Sequence, residues 1–216
     1  MFSLSNPIVQ FIIRFFIIYT LLTILWGTVD KSYGGYIRNI STYFFENFGQ
    51  KGYARFQEIP PTEANPYDIN IMIANTDQIA LAKQQGSNQV QAHQFPVNSW
   101  FIGYLSTILL ISLILASPIP LKRLPIPLIL GFILINAIIF FKIWIRLTFE
   151  FNGIGWMGQA PLGSSMIVQR INAIFALNNL GTTMILPLFI WLAVTFRKDD
   201  WKMLTEAGKD LTRPKA

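Results

Sequence analysis

The hydrophobic positions along the chain fall into four long apolar stretches that contain almost no charged residues. A helix that crosses a bilayer needs about 20 mostly apolar residues, whereas a helix of a soluble protein carries polar residues every three or four positions. The pattern therefore predicts a mainly α-helical membrane protein with four transmembrane helices. These predicted spans cover residues 7–27, 99–116, 125–147 and 174–196.

The region between the first and second spans, residues 28–98, has the character of a small α+β, β-rich insertion. Residues 32–49 place aromatic and aliphatic side chains at helical spacing, which predicts an amphipathic helix. Residues 53–59, 67–75 and 88–95 alternate apolar and polar positions between turn signals, which predicts three or four short strands. A sheet of this size is marginally stable alone. We therefore expect it to rest on the ends of the membrane helices or on a partner.

The composition supports a membrane protein. Hydrophobic residues make up 52% of the chain and charged residues only 13%, whereas soluble domains average about 25% charged residues. The chain contains no cysteine, which excludes disulfides, thiolate metal sites and cysteine nucleophiles. The net charge of +6 does not require nucleic acid as a partner, because the cations gather beside the apolar stretches.

The positions of those cations predict an orientation. Lys122 and Arg123 lie in the segment SPIPLKRLPIP, whose four prolines predict a tight turn between two helices. Residues 197–216 carry six further cations. Lysine and arginine mark the cytoplasmic side of a membrane protein, so we expect this turn and both termini in the cytoplasm of a bacterial cell with the chain in its inner membrane. The expected partners are membrane lipids and other membrane protein subunits.

Four segments follow from these patterns. Residues 1–27 are a retained anchor rather than a cleaved signal peptide, because the apolar stretch is long and lacks an A-x-A-like cleavage site. Residues 28–98 form the extracytoplasmic domain with its helix and sheet. Residues 99–196 form a three-helix transmembrane region with a glycine-rich outer loop at 149–168, which we expect to be a flexible surface loop. Residues 197–216 form a basic cytoplasmic tail.

Candidate chemistry is sparse, and the sequence predicts no catalytic residue, metal or cofactor. His93 is the only histidine, and the four spans contain no aspartate or glutamate. One cluster stands out near the end of the third span, where Lys142, Arg146 and Glu150 follow at intervals of four residues. Charges at such depth are usually paired or face a cavity. The cluster is therefore a candidate site for an anion or a partner, with local pairing of Arg146 and Glu150 as the simpler alternative.

A specific partner is expected for Arg146, because a guanidinium group does not lose its charge. Glu150 is the nearest candidate. Acids of the extracytoplasmic region and an anionic lipid headgroup are the others; those acids are Glu58, Asp68 and Asp77.

Four short segments, FPVNSWF, PLKRL, KIWIRL and FALNNLG, follow one another between residues 91 and 198. Their order resembles the exosortase/archaeosortase family of membrane-embedded, transpeptidase-like proteins. The resemblance implies a cysteine that opens one helix, an arginine that ends the next and a histidine that opens the last. Arg146 matches the arginine, but Asn98 or Ser99 occupies the cysteine position and Asn178 or Asn179 the histidine position. The resemblance thus implies a member without the catalytic pair, which binds or scaffolds rather than cuts.

The sequence therefore predicts a non-enzymatic subunit, scaffold or assembly component of an envelope complex in the inner membrane. One alternative is an exosortase-like peptidase or transpeptidase with a hydroxyl nucleophile such as Ser99. A serine nucleophile needs an adjacent base, and only His93 and Lys142 are available for that role. A second alternative is a transporter component, which the uncharged spans disfavour.

Overall fold

The computed structural model describes residues 6–48, 51–60, 66–87, 90–153, 166–176 and 179–196. It is mainly helical, with one four-stranded antiparallel sheet. The chain divides into two compact units, which we call the helical unit and the sheet unit. The helical unit comprises Met1–Gly27, Leu105–Ala137 and Thr183–Ala216, and the sheet unit comprises Thr28–Tyr104 and Ile138–Thr182.

Seven α-helices and four strands lie in the described ranges. The helices are α1 (Pro7–Ile24), α2 (Trp26–Phe45), α3 (Thr76–Gln84), α4 (Leu105–Ala116), α5 (Pro125–Gly153), α6 (Met166–Ile174) and α7 (Leu180–Thr195). The strands are β1 (Asn47–Phe48), β2 (Gly52–Glu58), β3 (Ile69–Asn75) and β4 (Ala92–Val97). A π-helical turn (Trp100–Tyr104) leads into α4, and a 3-10 turn (Leu121–Arg123) precedes α5.

The helical unit is held by aromatic and small polar side chains. The ring of Phe11 on α1 stacks on Trp191 of α7 at 5.5 Å between ring centroids. The indole Nε1 of Trp191 donates a hydrogen bond of 2.7 Å to the hydroxyl of Ser117, which follows α4. Ser106 on α4 donates to the carbonyl of Thr183 on α7 at 3.0 Å. The buried hydroxyls of Ser106 and Ser117 therefore both form hydrogen bonds among the apolar side chains of this unit.

Two helices of the described chain are long and apolar enough to span a membrane. They are Pro7–Ile24 and Leu121–Phe151, and the most apolar window of the second is only 22% buried. Two shorter apolar helices, Trp100–Ala116 and Leu180–Thr195, contain 10–17 residues each. Large apolar side chains on α1, α5 and α7 point away from the protein; they include Phe16, Ile17, Leu21, Ile129, Phe132, Ile133, Leu188 and Phe189.

The sheet has the order β1-β2-β3-β4, and all neighbouring strands are antiparallel. Alternation decides which face is buried: Phe56 pairs with Ile71, and Ile71 pairs with Phe95 on the other side. All three of these side chains are buried. The opposite face carries the row Arg55, Met72 and Gln94. The predicted strands are therefore present, and the alternation of apolar and polar residues along them marks the one face of the sheet that is buried.

The buried face of the sheet packs against α2 and α5. Phe45 at the end of α2 contacts Phe56 of β2 at 6.4 Å between ring centroids. Phe48 of β1 contacts Phe151 of α5 at 6.1 Å. The sheet therefore rests on two helices of its own unit, as a small sheet requires for stability.

Several elements differ from the sequence-based prediction. The predicted span at 174–196 is interrupted, because α6 ends at Ile174 and α7 begins only at Leu180. The predicted outer loop at 149–168 begins inside a helix, since α5 continues to Gly153, and ends inside α6. The helix α3 was not predicted; it follows β3 directly, and the side chain of Asn75 at its start accepts from the Asp77 N–H at 2.8 Å.

Some predicted features lie outside the residues that the structure describes. These are most of the glycine-rich loop (154–165), Asn178 and the basic tail (197–216).

Candidate functional site

The charged cluster predicted on the third span lies on the last turns of α5, in the sheet unit. The guanidinium of Arg146 pairs with the carboxylate of Glu150 one helical turn later. The second oxygen of Glu150 lies 3.2 Å from Nε2 of His93 on β4, a contact that becomes an ion pair when His93 is protonated. Glu150 therefore bridges a cation of its own helix and the histidine of the sheet.

Two aromatic rings flank the guanidinium of Arg146. Its central carbon lies 5.3 Å from the ring centroid of Phe95 on β4 and 5.7 Å from that of Phe149 on α5. Both distances are within the range of cation–π attraction. The Arg146 side chain remains 31% exposed. The cluster thus joins the edge strand of the sheet to α5 and leaves part of the guanidinium accessible.

The other acids named as partners for Arg146 pair elsewhere. Glu58 lies 2.8 Å from the guanidinium of Arg38. Asp77 lies 2.7 Å from Nζ of Lys51, and this hydrogen bond and the charge of Asp77 raise the pKa of Lys51. Asp68 accepts from Ser99. Of the acids named as candidates, Glu150 is therefore the one that pairs with Arg146.

Lys142 differs from Arg146 in its surroundings, although it lies on the same helix one turn earlier. Its exposure is only 2%, so it is among the largest buried side chains of the chain. A ligand from solvent reaches Arg146 but not Lys142. The predicted three-residue cluster therefore divides into an accessible pair, Arg146 and Glu150, and a buried lysine.

Ser99, the candidate hydroxyl nucleophile, is fully buried at 0% exposure. Its backbone N–H donates to Oδ1 of Asp68 at 2.8 Å, and its hydroxyl donates to Oδ2 of the same carboxylate. The backbone of α2 lies close by, since a Cβ on Gly34 would come within 2.9 Å of Oδ2 of Asp68. The carboxylate, which directly precedes β3, thus bonds to the turn that opens α4 and lies close to the backbone of α2. Its position also suits the positive end of a helix.

Asn98 caps the same helix start. Its side-chain oxygen accepts from the N–H of Trp100 at 2.8 Å, and its side-chain nitrogen donates to the carbonyl of Pro66. These are the contacts of a helix cap. The two residues at the cysteine position of the family layout, Asn98 and Ser99, therefore both fix the start of a helix.

Asn179, at the histidine position, connects two helix ends. Its side-chain oxygen accepts from the N–H groups of Gly181 at 2.9 Å and Thr182 at 3.3 Å, at the start of α7. Its side-chain nitrogen donates to the carbonyls of Ala173 at 3.4 Å and Ile174 at 3.1 Å, at the end of α6. One amide thus satisfies backbone groups that each helix leaves unpaired.

A cavity of about 200 Å³ lies beside these helix starts. Its lining is mostly apolar and comprises Pro66, Tyr67, Asn98, Phe101 and Leu180. Asn98 lies in FPVNSWF, the segment at the family's cysteine position, and Leu180 lies in FALNNLG, the segment at its histidine position. Both segments therefore line the cavity. The family layout identified Asn98, whereas Asp68 was named only as a candidate partner of Arg146, and its bonds to Ser99 were not predicted. Phe95 and Gly34 were missed, because their roles depend on contacts between distant segments.

Within the described ranges, no group of three or more histidine, cysteine, aspartate or glutamate side chains is arranged to hold a metal ion. No protein-family model, no curated protein and no solved structure matches the chain. The resemblance to the exosortase/archaeosortase family therefore stays a prediction that rests on the order of features along the sequence.

Replacing Arg146 with alanine is expected to lower the free energy of unfolding by about 1–2 kcal/mol, because it removes a partly buried ion pair and two cation–π contacts. Thermal unfolding in detergent, followed by circular dichroism, should show a midpoint lowered by about 4 °C. Arg146→Lys should recover only part of this loss, since an ammonium group does not reproduce the planar fork.

The matched control for this experiment is Arg55→Ala, because Arg55 is exposed and makes no ion pair among the described residues. Arg38 would not serve as a control, since it pairs with Glu58. A double-mutant cycle of Arg146→Ala with Glu150→Gln measures the coupling between the two side chains. Equal losses for Arg146→Ala and Arg55→Ala would contradict the role assigned to the cluster.

Proposed function

We propose that this chain is a non-enzymatic integral membrane protein that serves as a subunit or scaffold of a bacterial envelope complex. The proposal rests on the structural roles of the polar residues that occupy the positions of the family's catalytic cysteine and histidine. Ser99 donates to Asp68 and is fully buried, and Asn98 and Asn179 cap helix ends. These groups hold the fold together, which supports a binding role rather than a cutting one.

Membrane insertion is supported by the helical unit. Two helices have the length and composition of spans, and exposed apolar side chains on α1, α5 and α7 suit contact with lipid chains. The two shorter apolar helices would each extend about 25 Å at 1.5 Å per residue, about 5 Å less than a bilayer core. Local thinning of the bilayer accommodates such a difference at modest cost. The four-span arrangement and the orientation belong to this proposal.

The partner site that we assign is the cavity lined by Asn98, Phe101 and Leu180. At about 200 Å³, it is smaller than the roughly 300–1,000 Å³ of typical small-molecule sites. Its size suits one apolar side chain of a partner. Asn98 adds polar recognition, because its side chain has one N–H and one acceptor position beyond the contacts already described. A peptide group supplies the complementary acceptor and donor.

The proposal is tested by purifying the tagged full chain from native membranes and identifying what remains bound. We expect a membrane protein partner in fixed stoichiometry. Leu180→Trp, which fills the cavity, should reduce the retained partner at least about tenfold, equivalent to about 1.4 kcal/mol. The matched control is Leu81→Trp on α3, because Leu180 and Leu81 have almost equal exposures of 53% and 54%.

Two results would count against the proposal. Equal retention of the partner by the Leu180→Trp and Leu81→Trp variants would remove the cavity as the partner site. Accumulation of an unprocessed peptide in cells that carry Ser99→Ala, with the variant folded normally, would favour the exosortase-like enzyme instead.

A further inference from the structure

The short helix α6 presents an unusual surface. Met166 and Ile167 are each 67% exposed, and Ile174 is 54% exposed. Met166, Arg170 and Ile174 follow at intervals of four residues, so they share one face of the helix. Arg170 is also exposed and makes no ion pair among the residues that the structure describes. A single cation therefore lies at the centre of an exposed apolar face.

This face continues into the surface of a membrane-spanning candidate. Phe175, directly after α6, packs edge-to-face on Phe141 of α5 at 5.4 Å between ring centroids. Phe141 belongs to the apolar stretch Leu121–Phe151 and is itself 40% exposed. The exposed side chains of α6 therefore lie beside a helix surface that is suited to lipid.

A backbone carbonyl at the end of α6 is hydrogen-bonded within the protein, as apolar surroundings require. The carbonyl of Ile174 accepts from the Asn179 side chain at 3.1 Å and from the Thr182 hydroxyl at 3.1 Å. Helix ends in contact with lipid need such partners, because no water is present to satisfy them.

We propose that α6 lies in the lipid headgroup layer and that Arg170 binds the phosphate of an anionic phospholipid there. The apolar side chains of Met166, Ile167 and Ile174 enter the upper acyl-chain region, as in interfacial amphipathic helices. The long stem of Arg170 lies along them while its guanidinium reaches outward to the phosphate. The inference rests on the proposed membrane insertion and adds a lipid site to it.

The depth of α6 is measured with nitroxide labels on the full chain in nanodiscs of phosphatidylcholine and phosphatidylglycerol. Because the chain contains no cysteine, single-cysteine variants carry one label each. Ile167→Cys on α6 is compared with Ile133→Cys on α5 and Lys83→Cys on α3. We expect the label at 167 to collide more with oxygen than with a water-soluble nickel complex, the label at 133 to be fully shielded from nickel, and the label at 83 to be open to it.

These positions separate the two proposals. If the labels at 133 and 167 are both open to nickel, membrane insertion itself is wrong. If the label at 133 is shielded while the label at 167 is as open as that at 83, the membrane proposal stands and the placement of α6 is overturned.

The headgroup contact is measured by native mass spectrometry of the detergent-solubilised chain with added phosphatidylglycerol. Arg170→Gln is expected to weaken binding of one phosphatidylglycerol about fivefold, and Arg170→Lys to recover most of it. The control Arg55→Gln removes another exposed cation and should leave the affinity unchanged. Equal losses for both glutamine variants, or no loss for Arg170→Gln, would overturn the lipid site.

Soluble glycerol phosphate distinguishes a lipid from a free phosphate. We expect no binding that depends on Arg170, because the soluble compound lacks the acyl chains that Met166, Ile167 and Ile174 contact. Binding of glycerol phosphate that is as tight as that of phosphatidylglycerol, and is lost in Arg170→Gln, would replace the lipid with a soluble phosphate as the ligand.

Discussion

Replacing Asp68 with alanine is expected to lower the free energy of unfolding by about 3 kcal/mol, because two buried donors of Ser99 lose their acceptor. The backbone N–H and the hydroxyl of Ser99 both donate to this carboxylate, and Ser99 has no exposure to water that would replace it. Thermal unfolding in detergent should show a midpoint lowered by about 6–12 °C. Asp68→Asn should lose less, since an amide retains an acceptor for the N–H.

The same measurement distinguishes a structural Ser99 from a catalytic one. Ser99→Ala removes one of the two hydrogen bonds and should lower the unfolding free energy by about 1–2 kcal/mol. A nucleophile would behave differently, because its loss abolishes a reaction while leaving stability nearly unchanged. An unchanged midpoint for both Asp68→Ala and Ser99→Ala would show that this pair does not hold the helix start.

Adjacent glycines on α2 provide a matched pair for the same contact. A Cβ at position 34 would lie 2.9 Å from Oδ2 of Asp68, whereas at position 35 the nearest atom is the guanidinium nitrogen of Arg38 at 3.7 Å. Gly35→Ala should therefore gain up to about 1 kcal/mol from helix propensity. Gly34→Ala receives the same gain but must displace a carboxylate that two hydrogen bonds hold, so we expect it to be the less stable variant.

The sequence predicted the sheet because alternation is a local signal. In β2, the residues Ala54 and Phe56 are buried while Arg55 between them is exposed, and this period of two is visible without any knowledge of the partner strand. The register between strands was not visible, because it depends on which residues of two separate strands lie opposite one another. The packing of Phe48 on Phe151 was not visible either, because the two residues are about one hundred positions apart. Local pattern thus identified the elements but not their contacts.

The helix α3 and the break between α6 and α7 were missed, because their sequence signals are helix-end residues rather than apolar periodicity. The helix α3 is short and only weakly apolar, so its periodicity is faint, yet Asn75 at its cap, Asp77 in its first turn and Lys83 in its last turn are typical helix-end residues. The break between α6 and α7 was hidden because apolar residues lie directly on both sides of it. Asn179 marked that break, but we interpreted it by its place in the family layout rather than as a cap.

In the candidate site, too, the local pattern predicted a contact within one helix but not the contacts between distant segments. Spacing along one helix predicted the pairing of Arg146 with Glu150, which forms. The contacts of this pair with His93 and Phe95 depend on where β4 lies, and no local pattern reports that position. Likewise, Asp68 was one acid among several in the sequence, and its importance follows from its two bonds to Ser99, 31 residues away.

Replacing Gly52 with alanine is expected to disrupt the start of the sheet and to cost about 3 kcal/mol by overpacking. Gly52 opens β2 and faces Phe48 of β1 in the antiparallel pair. A Cβ at this position would overlap the carbonyl oxygen of Phe48, and it would also lie 3.1 Å from Cε2 of Phe151. A backbone oxygen cannot rotate away as a side chain can, so β1 must move relative to β2 and the contact between Phe48 and Phe151 must loosen.

The matched control for Gly52→Ala is Gly27→Ala, because a Cβ at position 27 meets no atom within 4 Å. Gly27 lies inside α2, where alanine favours the helix by up to about 1 kcal/mol, so this variant should unfold at an equal or higher temperature. Hydrogen exchange provides the local measurement: the amides of β2 and β3 should exchange faster in Gly52→Ala, while those of α1 keep their protection. Unchanged protection in β2, with a midpoint equal to that of the parent chain, would show that β1 moves away from β2 at little cost and that the sheet does not depend on the close approach of Gly52 to Phe48.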